Sequence, residues 1–219
     1  MFSICACVRG RENLINNQKN AKKIDQVLMS LNKKYHLDLY ESFKRTSNTS
    51  FEAVLHKAIY VFEIIDKLKY SLDDLVLDFG IGFCESMGYQ DPLVIVENGK
   101  LNAFHALDQL DNDNDYGNSH IQISLGKPSS LEKMINSTLG LIDFVESRWR
   151  QSQHDLMKYL VLHYGYMENI VQKEVALDLE VSAQNLNQQL KNSGYFNILK
   201  LKRDMTVVLE QYRKSQTRN

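Results

Sequence analysis

Apolar residues fall in two rhythms along this chain, and the rhythm changes near Pro128. Ahead of that point, strand-like runs mix with helical stripes. Phe2 to Val8 is almost wholly apolar and small, which predicts a buried strand. From Asn13 to Tyr35 the residues Leu14, Ile24, Val27, Leu28 and Leu31 keep helical spacing, so one long helix is expected. "LDLYESF", Leu37 to Phe43, alternates as a strand does. After the polar turn "RTSNTS", the stretch Phe51 to Lys69 carries Val54, Ala58, Val61, Phe62, Ile65 and Leu68 as one helical stripe, with room for a short strand at Phe51 to Leu55. Leu75 to Cys84 is a strand whose glycines, Gly80 and Gly82, let another backbone approach. Leu101 to Leu110 suggests a short helix and His120 to Ser124 a last strand. Strands and helices without strict alternation predict an α+β sheet with helices on one face.

Everything beyond Pro128 has helical spacing. Ser129 to Arg150, with Leu131, Met134, Ile135, Leu141, Ile142 and Val145, predicts a connecting helix that starts at capping serines. The expected division is therefore residues 1–128 for the sheet domain, 129–150 for the connecting helix and 151–219 for an all-α unit.

Composition narrows the class without naming a function. With 43% hydrophobic and 24% charged residues the chain matches ordinary folded proteins. No apolar run approaches the roughly 18 residues of a membrane span, and the start lacks a signal-type apolar core, so a cytoplasmic location without membrane partners is expected. Cys5, Cys7 and Cys84 have no C-x-x-C spacing, and small buried hydrophobes are the expected role rather than a thiolate metal site. The acidic segment "DNDNDYG", Asp111 to Gly117, fails as a calcium loop. Tyr116 stands where Gly is needed and Gln122 where the bidentate Glu belongs, so a polar turn is expected and no cofactor is implied.

Charge is distributed unevenly. Residues up to Ser147 hold 15 Lys and Arg against 20 Asp and Glu, whereas those after it hold 11 against 7. A basic C-terminal part points to nucleic acid. Within it, Val171 to Lys191 has the layout of a helix-turn-helix. Val171, Val175, Leu179, Val181, Leu186 and Leu190 are its apolar positions, Ala176 is the small residue between helices, and Ser182 caps the second helix. Gln153 to Gly165 supplies a supporting helix and Phe196 to Lys214 a closing helix or wing.

The outward face of the second helix would be Ser182, Ala183, Gln184, Asn185, Asn187, Gln188 and Lys191. Asn and Gln bond adenine edges, and Ala contacts thymine methyls, so this face suits double-stranded DNA. It carries little charge. Phosphate neutralisation is expected from Arg148, Arg150, Lys173, Lys200, Lys202 and Arg203. Glu180 stands before Val181, where such motifs often have Gly to permit a positive φ, at a cost of about 1 kcal/mol.

The front half resembles the SatD family. "CACVRGR" at Cys5 to Arg11 is similar to its G-D-I-V-x-S-R, "TSNTSFE" at Thr46 to Glu52 to its T-x-G-D-E-F-Q, and "GIGFC" at Gly80 to Cys84 to its G-I-G-x-G; "LNAFHA" at Leu101 to Ala106 matches a D-G-P-A-F-like block weakly. The resemblance implies a ferredoxin-like, nucleotidyl-cyclase-like sheet domain followed by a helix-turn-helix domain. In cyclases two aspartates of these blocks hold the divalent metals. Here Ala6 and Thr49 occupy those places and offer no anionic oxygen, so an inactive cyclase-like domain with no metal or catalytic site is expected.

The leading expectation is a SatD-like transcriptional regulator that binds DNA, the front domain serving for homodimerisation or sensing. Two alternatives stand beside it. One is a protein-interaction or assembly module that never touches DNA; the other is a nucleotide-binding pseudo-enzyme, with His105 and Arg11 as lone ligand candidates that are better read as a helix residue and a surface charge.

Overall fold

The computed structural model describes residues 1–9, 17–85, 91–112, 119–167 and 169–216. Arg11 and the Asp113 to Gly117 part of the expected acidic turn lie outside them. Strands β1 (Phe2–Val8), β2 (Leu39–Arg45), β3 (Ser50–Leu55), β4 (Leu77–Phe83) and β5 (Ile121–Ser124) form one sheet in the order β2-β3-β1-β4-β5. With helices α1 (Asn17–Lys34) and α2 (Val61–Ser71), the first four strands run β-α-β-β-α-β, and every pairing among them is antiparallel. That is the ferredoxin-like order. Helix α3 (Pro92–Asn112) then carries the chain to β5, which pairs parallel with β4. The fold class is α+β, closed by a helical C-terminal region: α4 (Ser130–Glu146), α5 (Gln151–Tyr164), α6 (Gln172–Asp178), α7 (Ala183–Ser193) and α8 (Tyr195–Gln216).

Three expectations need correction. The stripe from Val54 to Leu68 is not one helix: the short strand for which Phe51 to Leu55 left room forms as Ser50–Leu55, which pairs in register with β1, from Ser50 opposite Cys7 to Leu55 opposite Phe2. The spacing of Val54 and Ala58 merely continues the phase of α2. Helix α3 begins at Pro92 rather than near Leu101, with the Leu93 amide donating to the Asp91 side chain at 2.9 Å. Proline is favoured at such a first position because its missing N–H would have no helical partner.

Helices also cover both faces of the sheet. Phe79, Ile81 and Phe83 of β4 share the main core with residues of α1, α2, α4 and α8. Gly80 and Gly82 point to the other side, because side chains alternate along a strand. There a Cβ on Gly80 would lie 1.9 Å from the Ala103 carbonyl oxygen, and one on Gly82 2.0 Å from that of Gly99. Only glycine lets α3 lie this close.

The main core does not end where the sheet ends. Ile198, Met205 and Leu209 of α8 are buried in it, and Tyr212 packs edge-on against Phe83 at 5.1 Å between ring centroids. A second core joins Leu156, Leu160, Val175, Leu186, Leu190 and Leu199 of the helical region to Tyr70 of α2, while Trp149 and Tyr166 touch both cores. No helix of the described residues is long and apolar enough to cross a membrane.

Candidate nucleic-acid interface

Helix α7 owes its position to two apolar side chains and a cap. Leu186 and Leu190, one turn apart on one face, are buried against α5 and α8. The Ser182 hydroxyl accepts from the Asn185 amide at 3.1 Å, which satisfies one of the helix's unbonded first-turn N–H groups. Gly194 ends the helix in the left-handed region at φ 68°.

The turn between α6 and α7 is tight. The amides of Glu180 and Val181 donate to the carbonyls of Leu177 and Ala176 at 3.1 and 2.9 Å, and Glu180 takes φ 54°. Among the described residues it is the only non-glycine with positive φ. The sequence placed that requirement at this residue. Ala176, buried beside Val175, is the small contact between the helices. Val171 is not an inward position: it precedes α6 and is 53% exposed.

Burial fixes the outward face residue by residue. Ser182, Ala183, Gln184, Asn185, Asn187, Gln188 and Lys191 are all exposed, as are Arg148, Arg150 and Lys173. The Gln189 side chain, one turn on, donates to the Asn185 side-chain oxygen Oδ1 at 3.1 Å. The Asn185 side-chain nitrogen, with no partner among the described residues, is left as a donor. A groove lined by Arg150, Ser152, Gln153, Asn185, Gln188, Gln189 and Asn192 runs between the start of α5 and α7. Ser152, Gln153, Gln189 and Asn192 were missed from sequence. Asn192, one turn beyond Gln188, was legible from helical spacing, whereas Ser152 and Gln153 join the groove only through the packing of α5.

The cations differ in availability. Lys173 and Lys191 are exposed and form no ion pair among the described residues. Arg148 stacks its guanidinium on Phe144, 4.4 Å from the ring centroid. Lys202, expected as a phosphate donor, is buried: its ammonium lies 2.7 Å from both Asp66 carboxylate oxygens and 3.2 Å from Glu146. It is an internal partner of α2 and α4. Lys200 is exposed, and Arg203, half-buried, donates to the Tyr166 carbonyl at 2.5 Å.

At the cyclase-like positions, Ala6 is buried among apolar residues of the main core, and the Thr49 carbonyl accepts from the Val8 amide at 2.9 Å. Asp78, the carboxylate at that end of the sheet, is 3% exposed and already held by Arg9 at 2.6 Å and His120 at 2.8 Å. Burial pushes the Cys5 thiol up to about 12 and the Cys84 thiol to about 11, so both stay protonated at neutral pH. His105 is an exposed residue of α3, and Lys44 pairs with Glu41 and Glu52.

No curated protein and no solved structure matches this chain. A family model does, that of the SatD family, over residues 4–209, which spans the sheet, the connecting helix and the α6–α7 pair. The chain therefore belongs to the SatD family.

Proposed function

We propose that this protein binds double-stranded DNA through α7 and acts in the cytoplasm as a transcriptional regulator, with a cyclase-like sheet domain that carries no turnover. The observation that carries the reading is the outward face of α7: six polar or small residues and one lysine, all exposed, on a helix capped by Ser182 and reached through a positive-φ turn. Such a face presents amide groups to base edges, while Arg148, Arg150, Lys173 and Lys191 answer phosphates. Homodimerisation belongs to the proposal because paired helices read paired half-sites. Ala6 and Thr49 supply none of the anionic ligands a hard divalent cation needs.

The test is an anisotropy titration of the full chain with labelled genomic and random duplexes from 50 to 200 mM salt. Four phosphate-bound cations predict that log affinity falls against log salt with a slope of about −3 to −4. Gln188→Ala is expected to weaken preferred sequences by about 1–3 kcal/mol while sparing random duplex. Absence of any salt-dependent binding overturns the proposal. The exposed Leu177 of α6, together with the single charge on the outward face of α7, favours the second reading, a helical surface for a protein partner. Partners that survive nuclease treatment, together with no affinity for duplex, would support it.

A further inference from the structure

A cavity of about 230 Å³ opens between α2, the start of β4, the end of α4 and α5, with no residue of α7 in its lining. It is smaller than the roughly 300–1,000 Å³ of drug-sized ligand sites, so its occupant is a small molecule. Its walls combine aromatic rings with hydrogen-bond acceptors. Tyr70 and His154 meet edge-on at 5.5 Å between centroids, and Trp149 lies on the same lining.

The acceptors can be assigned from their partners. His120 turns Nδ1 toward the Asp78 carboxylate at 2.8 Å. A carboxylate only accepts, so Nδ1 carries the hydrogen, and in the neutral ring Nε2 keeps its lone pair. That nitrogen has no partner among the described residues. The Tyr70 side chain is buried, with 6% of the residue exposed, yet its hydroxyl makes no hydrogen bond among the described residues. Among the described residues the sealed tyrosine oxygen without a partner is that of Tyr195, so the Tyr70 oxygen opens onto the cavity and is free to accept there.

Charge completes the description. Asp73, Asp143 and Glu146 line the cavity with Lys69; their ion pairs bring in Lys158, Lys202 and Asp66. Four carboxylates against three ammonium groups leave one negative charge unanswered. Lys69 is already shared by Asp143 at 3.3 Å and Glu146 at 2.8 Å.

We propose that this cavity binds a small organic cation, an ammonium, amidinium or guanidinium group on an aromatic or short apolar body. Its N–H groups bond the Tyr70 oxygen and His120 Nε2, the surplus carboxylate charge of Asp73, Asp143 and Glu146 answers its own, and its body lies against the rings, where a cation is attracted by the π face. Trp149 links the site to α7, because its indole N–H donates to the carbonyl of Ser193, the last residue of that helix, at 2.9 Å. An effect of the cation on DNA would rest on the reading above, but occupancy of the cavity does not.

Trp149 is the only tryptophan, so its fluorescence reports occupancy directly. The full chain is titrated without DNA against phenethylamine and benzamidine, with 2-phenylethanol and 3-phenylpropionate as neutral and anionic counterparts, and thermal unfolding is followed in parallel. Saturable fluorescence change and a raised Tm are expected with a cation, at least tenfold tighter than with the alcohol. Tyr70→Phe, which removes only the hydroxyl, is expected to weaken cation binding about three- to tenfold. No saturable response to either cation, equal or tighter binding of the alcohol or acid, or unchanged affinity in folded Tyr70→Phe would overturn the proposal. None of these outcomes depends on whether duplex is bound.

Discussion

Glu180 sits in a backbone conformation that L residues avoid, and it gains nothing visible in return. Its φ is 54°, its side chain is exposed, and it forms no side-chain hydrogen bond or ion pair among the described residues. Left-handed backbone at such a residue costs about 1 kcal/mol relative to glycine. Glu180→Gly is therefore expected to stabilise the folded chain by about 0.5–1 kcal/mol, less than the full strain because glycine also enlarges the unfolded ensemble. In a chain of this size that raises Tm by about 1–4 °C, readable by calorimetry; an unchanged or lower Tm would mean the turn is not strained. This position was legible because cap, turn and small contact lie within seven residues of one another, from Ala176 to Ser182. Lys202 was not. In sequence it looks like its exposed neighbour Lys200, and what makes it internal is Asp66, 136 residues away. Local spacing identifies an outward helix face well, but the fate of a charge is settled by whichever distant element it meets.

At the scale of elements, the contact between β4 and α3 shows how glycine placement sets a helix. A Cβ on Gly82 would stand 2.0 Å from the Gly99 carbonyl oxygen and 2.3 Å from the Ala103 amide nitrogen, both backbone atoms of α3. No rotamer relieves that clash. Gly82→Ala is expected to lift α3 and cost about 3 kcal/mol or more, since overpacking commonly costs about 1–3 kcal/mol even where side chains can yield. Urea unfolding would measure it, and a loss under 1 kcal/mol would contradict the close packing. The same feature explains why α3 was half missed. Its inward positions include Gly99, Ala103 and Ala106, too small to make a strong apolar stripe. Where inward residues are large, as in α1 and α4, pattern and structure agree to within a few residues. Where they are small, or where a strand such as β3 happens to continue the phase of the next helix, the pattern misleads, because periodicity registers bulk rather than contact.

At the scale of the whole molecule, a buried ionic network ties the sheet to the helical region. Lys202 of α8 bridges Asp66 of α2 and Glu146 of α4, while Lys69 of α2 bridges Glu146 and Asp143 of α4. The Tyr166 hydroxyl also donates to Asp66. Burial alone would raise the Glu146 carboxyl, but Lys202 and Lys69 together outweigh it and hold the group well below the ordinary carboxylate value. For Lys69 burial likewise opposes the charged form and is overcome, chiefly by Glu146 and then Asp143 and Asp66, so its ammonium is held well above the ordinary lysine range. The consequence for stability has a definite sign. The unfolded Glu146 takes up a proton at higher pH than the folded one, so its contribution is complete above about pH 4.5 and is lost as pH falls toward the folded value. The Lys69 contribution is complete at neutral pH and is lost only in strong alkali. Stability is thus expected to be level with respect to these two groups from about pH 6 to 9 and to fall below about pH 4.5. Because the network and α8 span both cores, the loss should be shared. Hydrogen exchange read peptide by peptide on acidification is expected to show β1, β4, α5 and α7 losing protection at one pH. If α5 and α7 open at a distinctly higher pH than β1 and β4, the network does not couple the helical region to the sheet, and the two parts fold on separate terms.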